Sequence, residues 1–204
     1  FYLTLYNENY QMPAISKSAT ITSEIMQGLY LWKQAPNTKH KAAILFSGSA
    51  HAAASAAAAE LFERYEVGCE LWSATSYKTL REEALEVERW NRLHPAQSAR
   101  ESVVAKQLNN GDGPIVAVSD FMRMVPEQVA RFITKRSFTP LGTDGMGRSD
   151  TRAALRRHFE IDSPHIVVTV LHQLSQSGVI KPELVTEAIQ RHGLDPEIAF
   201  SLHQ

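Results

Sequence analysis

The sequence lacks most of the features that would fix its class at a glance. It carries one cysteine, Cys69, in 204 residues. No intramolecular disulfide can form, which fits a reducing, cytoplasmic compartment. No apolar run approaches the roughly 18–20 residues that cross a bilayer, so no membrane partner is expected. The first ten residues carry no basic n-region, so no secretory signal is expected at this end. An excess of charge is missing too. The 21 Lys and Arg face 22 Asp and Glu, for a net of −1, and so even a balance argues against a dedicated nucleic-acid binder. At 44% apolar, the chain is too hydrophobic for a disordered segment. It is long enough for one large domain or a domain with an appendage.

The catalytic signatures are absent as well. Gly48-Ser49 follows an apolar run and opens a helix, the place where an open α/β fold receives an anion. Yet position 46 is Phe and positions 51–54 carry no glycine, so this is no dinucleotide fingerprint. Ser47 or Ser49 reads instead as a helix cap. Gly111-Asp112-Gly113 resembles half of the metal-binding pattern of thiamine diphosphate enzymes, which continues downstream to an Asn pair. Here Asn109-Asn110 comes first and no asparagine follows, so the stretch reads as a polar turn. The eight histidines show no His-Glu-x-x-His spacing, although His165 and His172 could share a helix face. No serine sits in a nucleophile context, and Cys69 begins a strand and is expected to be buried.

What is present is alternation of strand and helix. Strand patterns cover residues 1–6, 28–32, 41–46, 69–75, 114–120 and 138–142. Helical patterns cover 23–26, 50–65, 76–93, 98–108, 126–133, 151–159, 164–177 and 181–192. Gly68 reads as the end of the Ala-rich helix 50–65, whose small side chains would let it lie close to a sheet. This order predicts an α/β fold with a mostly parallel sheet. The chain opens at Phe1 inside a strand-like alternation, which points to a piece cut from a longer protein. The most functional-looking loop is residues 143–150. It leaves a strand with two glycines and presents Thr143, Asp144, Arg148 and Asp150 ahead of a helix bearing His158. The plain reading of this loop is a capping turn and an interface, with Ser149 or Asp150 as cap and Arg148 paired to a carboxylate. Arg152, Arg156, Arg157 and His158 read as a basic helix facing solvent.

Several strings, in this order and spacing, resemble one family. They are Asn7-Glu8-Asn9-Tyr10, residues 88–95 (Glu88 to Pro95), Ser119-Asp120, residues 141–150 (Leu141 to Asp150), and Arg152 through Glu160. They resemble the C-terminal part of the homodimeric, bacterial-type pyruvate dehydrogenase decarboxylating component, in the transketolase-like superfamily. The resemblance runs from Phe1 to about Ile189. It implies a thiamine diphosphate enzyme that decarboxylates pyruvate and passes the acetyl unit to a lipoyl group of an acetyltransferase core. It implies that residues 1–18 end the preceding pyrimidine-binding domain and that 19–204 form the third domain. That domain would be a three-layer α/β/α sandwich with a five-stranded sheet whose first strand, Leu29–Trp32, is antiparallel. The cofactor and magnesium would be held by earlier domains, with no catalytic, cofactor or metal residue in this chain. Its work would be dimer contacts and the shaping of an active-site entrance, with Thr143, Asp144, Arg148, Asp150 and His158 at that entrance. One departure is Phe46, where relatives carry a glycine. The alternative from the residues alone is a stand-alone regulatory or anion-binding module that uses the Gly48-Ser49 helix terminus.

Overall fold

The computed structural model describes residues 8–10, 14 and 19–203. The strand expected over residues 1–6 and most of the loop after it lie outside the described residues. Five strands form one sheet: β1 (Leu29–Lys33), β2 (His40–Phe46), β3 (Val67–Ala74), β4 (Ile115–Val118) and β5 (Phe138–Leu141). Their order is β1-β3-β2-β4-β5. β1 runs antiparallel to β3, and every other neighbouring pair is parallel.

Helices cover both faces because the central strands are apolar on both sides. On β2, Ala42, Ile44 and Phe46 face one cluster, which includes Ala54, Ala57 and Leu61 of α2 (His51–Tyr65). The same cluster takes in Ile166, Val170 and Leu174 of α7 (Ser163–Gln176) and Ala188 of α8 (Pro182–Arg191). Ala43 and Leu45 face the other way, against Tyr77, Leu80 and Ala84 of α3 (Tyr77–Leu93) and Val104 and Leu108 of α4 (Val103–Leu108). The alanines of α2 act as expected, since Ala54 and Ala57 are wholly buried and let the helix lie on the sheet. A short α1 (Ile21–Gln27) leads into β1.

The ends of four elements differ from expectation, each for a local reason. α2 stops before Gly68, which lies inside β3; the left-handed cap is Glu66, at φ 53°. The expected helix 98–108 begins only at Val103. The Asn91 side chain holds both backbone groups of Arg100, at 2.8 and 2.9 Å, and Ser102 caps the turn that follows. The expected helix 126–133 divides into α5 (Met124–Glu127) and a 3-10 turn over Ala130–Phe132. Asn109 Oδ1 accepts the amides of Thr134 and Lys135, at 3.0 and 3.2 Å, and draws the chain out of helix. α6 (Arg152–His158) is capped by Thr151, whose hydroxyl accepts from the Ala154 amide, and not by Ser149 or Asp150.

Candidate functional site

From β2 the chain turns to β3 on one side and later returns to β4 on the other. The order therefore reverses between β2 and β4, and the carboxyl ends of these two strands mark where such a sheet binds a ligand. Here that crevice is spanned by the chain's own polar groups. Ser47, just past β2, donates its hydroxyl to Ser119, just past β4, at 2.9 Å, and both residues are buried. The Ser119 hydroxyl also accepts from the Phe121 amide at 3.1 Å. Ser47 therefore caps no helix; a 3-10 turn over Gly48–Ala50 precedes α2 instead. The Ser49 amide donates to Asp120 Oδ2 at 3.2 Å. A carboxylate thus already sits where a bound anion would meet the helix amides.

The network continues into the 143–150 loop. The Thr143 hydroxyl donates to the Asp120 carbonyl at 3.1 Å, and the Thr143 amide donates to the Phe121 carbonyl at 2.9 Å. Asp144 accepts from the Arg123 amide at 3.2 Å and pairs with its guanidinium at 3.2 Å. Arg123 also reaches Glu160 at 3.8 Å and lies 4.7 Å over the ring of Phe200. Ser201 donates its hydroxyl to the Asp144 carbonyl at 2.9 Å. Gly145 lies beside it at φ 113°, and a Cβ there would come within 2.6 Å of the Ser201 carbonyl oxygen. Only glycine tolerates both that dihedral and that approach.

The five candidate residues do not converge on one point. Thr143 and Asp144 join the loop to the segment after β4. Arg148 meets His158 at 3.1 Å. Asp150 accepts from the Thr151 amide at 2.7 Å. The arginines of α6 do not simply face solvent, contrary to expectation. Arg152 and Arg156 pair with Glu8, and Arg157 pairs with Asp162. Arg123, the one cation in the run Phe121-Met122-Arg123-Met124, stands in no sequence motif. A lone charge among apolar neighbours was the available signal.

Among the described residues no group of three or more His, Cys, Asp and Glu side chains is placed to hold a metal. The Gly111-Asp112-Gly113 turn is held by Arg136, which donates to the carbonyls of Leu108, Asp112 and Gly113 at 3.1, 2.8 and 2.7 Å. Cys69 is buried in β3, and burial pushes its thiol up to about 12, which leaves it unreactive. Among the described residues no helix is long and apolar enough to cross a membrane.

Residues 28–162 match the family model described as the transketolase-like TK C-terminal domain. The chain belongs to the transketolase-like C-terminal domain family. This transketolase-like domain is 39% identical over 198 residues to a protein of Pseudomonas aeruginosa named pyruvate dehydrogenase E1 component, a match covering 97% of this chain and 22% of that one. It is 38% identical over 197 residues to the protein of the same name in Escherichia coli K12, with the same coverage. The chain thus spans about a fifth of the length of these curated relatives. A transketolase structure from Leishmania mexicana matches with a TM-score of 0.50 at 21% identity, covering 76% of this chain and 19% of that one. It shares the mixed five-stranded fold of the transketolase-like domain.

Proposed function

We propose that this domain is the non-catalytic C-terminal part of a thiamine diphosphate-dependent pyruvate dehydrogenase. The parent enzyme would decarboxylate pyruvate and reductively acetylate a lipoyl group. The observation that carries the reading is the 38–39% identity across 97% of the chain to proteins named pyruvate dehydrogenase E1 component. On this reading residues 1–18 end the preceding domain and 19–204 form the C-terminal one. Thiamine diphosphate and magnesium are held by residues outside this chain. The domain's work is contact within a cytoplasmic homodimer and the framing of an active-site entrance by the 143–150 loop. The wider partner is a dihydrolipoyl acetyltransferase core.

The internal network supports a framing role. Thr143 and Asp144 are spent on holding the loop to the segment after β4, while Met146 stays 75% exposed at the tip. A stand-alone anion-binding module is disfavoured by Asp120, whose carboxylate sits on the Ser49 amide.

Two experiments test the reading. Titration of thiamine diphosphate and magnesium into this chain is expected to give no binding, and added pyruvate no carbon dioxide; either signal would overturn the non-catalytic assignment. In the full-length enzyme, Asp144→Ala is expected to lower the activity of the assembled complex or weaken dimerisation. Unchanged values for both, with Arg148→Ala equally silent, would remove the loop from the account.

A further inference from the structure

α6 is seven residues long and buries none of its side chains completely. A helix that short is marginal by itself. Leu155 packs against the core, but another side of α6 borders a cleft of about 330 Å³ that reaches Arg157, His165 and Ile198. Apolar packing therefore fixes one side only, and polar ties must fix the rest.

Arg157 supplies some of them, to Asp162 at 3.3 Å and to the His192 carbonyl at 2.7 Å; the others come from the far end of the chain. The Glu8 carboxylate accepts the Tyr10 hydroxyl at 2.6 Å and meets Arg152 Nε at 3.1 Å and Arg156 Nη2 at 3.4 Å. Arg156 also donates to the Tyr10 oxygen at 3.2 Å. Two guanidinium groups and a phenol thus close on one carboxylate. At the C-terminal end of the same helix, His158 meets Arg148 of the loop. At its N-terminal end, Thr151 caps the helix directly after Asp150. The helix is therefore joined to the loop at both ends and to Glu8 across its middle.

We propose that Glu8 is a positioning residue: the Glu8–Tyr10 segment seats α6, and α6 in turn sets the 143–150 loop. The proposal rests on the reading above, in which residues 1–18 belong to the preceding domain and the loop borders an active site. It adds a route by which the domain holding the cofactor orients that loop. When the segment shifts, the pair Arg152 and Arg156 shifts with it, and the loop follows through Thr151 and the Arg148–His158 contact.

The test uses the full-length enzyme carrying Glu8→Gln, together with the charge-swapped pair Glu8→Arg and Arg156→Glu. Hydrogen exchange is followed across α6 and the loop, with β2 and β4 as internal reference. Glu8→Gln is expected to speed exchange in 146–158 roughly twofold to fivefold, the scale of a partly exposed ion pair. β2 and β4 should stay unchanged, and the charge-swapped pair should restore part of the protection. Unchanged exchange in 146–158 would overturn the proposal. So would a rise spread equally over β2 and β4, which marks a merely structural role. A local rise with unaltered KM and kcat would leave Glu8 in its positioning role and defeat the entrance assignment instead.

Discussion

Glu66 and Glu160 are the two non-glycine residues with positive φ among the described residues, at 53° and 58°. Both follow a helix, where a left-handed residue lets the next amides close back on the last turn. Holding an L side chain there costs on the order of 1–2 kcal/mol. Glu160 recovers part of this through Arg123. Glu66 is exposed, and Glu66→Gly is expected to raise stability by up to about 1 kcal/mol, read as a rise in the thermal midpoint. Glu66→Val should lower it, since a branched Cβ tolerates that conformation least; midpoints moving the other way would show that the cap strain is relieved elsewhere. The Ser47–Ser119 pair makes the opposite case. Ser119→Ala leaves the buried Ser47 hydroxyl without its partner, along with the part-buried Phe121 amide, and should cost about 1–3 kcal/mol in chemical denaturation. A loss below a few tenths would mean that water or a neighbour replaces the hydroxyl. Gly113 is the most constrained position. Its φ is 72° and a Cβ would lie 1.8 Å from the Lys41 carbonyl oxygen, so no substitution there leaves β2 undisturbed.

At the scale of elements, the junction of α6 and α7 is an acid-sensitive point. Burial works against the Asp162 carboxylate, but hydrogen bonds from the His165 ring at 2.5 Å and its amide at 3.2 Å, with Arg157 at 3.3 Å, outweigh it. They hold the carboxyl below its ordinary value of 3.8. A depressed carboxylate stabilises the fold fully above its unfolded pKa and ceases to as pH falls through the folded one. The thermal midpoint should therefore drop between pH 5 and 3, and Asp162→Asn should drop less steeply; parallel slopes would acquit Asp162. What was legible in advance follows the range of the interactions. β2 and β4 show as short apolar runs because a strand covered on both faces has nowhere to place a polar residue, whereas β3 carries Glu70 and Ser73 at half-buried positions. α2, α3 and α7 showed through composition and periodicity. The ends of α4 and α5 depart from their local patterns because Asn91 acts on backbone 9 residues away and Asn109 on backbone 25 and 26 residues away. The Glu8–Arg156 pair is 148 residues apart in sequence, and no local pattern announces such a contact. The loop at 143–150 stood out by its glycines and charges, but its principal partner, Arg123, arrives from another strand end.

For the molecule as a whole, the sheet edges shape how copies could meet. β5 is four residues long and carries Pro140, and β1 breaks register between Leu31 and Lys33 and ends on an exposed lysine. Both devices blunt an edge against pairing with another chain. Four exposed apolar side chains lie instead beyond β4 and β5, where Phe121, Met122, Met124 and Met146 are 56%, 49%, 64% and 75% exposed. Hydrogen bonds from Thr143 to the backbone of Asp120 and Phe121 hold the two strand ends together, so this rim is set on a fixed base. A set of large exposed apolar side chains on a rigid base is the usual mark of a protein contact, and for the proposed homodimer it is the surface to test. Phe121→Glu with Met124→Glu is therefore expected to shift the parent enzyme from dimer to monomer in light scattering at micromolar concentration. The fold itself should lose little, about 0.5 kcal/mol or less, because both side chains already stand in water in the isolated domain. Met26→Glu is the control. Met26 is as exposed as Met146 but belongs to α1, beside the opposite edge of the sheet, and its substitution should leave the dimer intact. A dimer indifferent to the rim substitutions, or equally weakened by Met26→Glu, would place the subunit contact elsewhere.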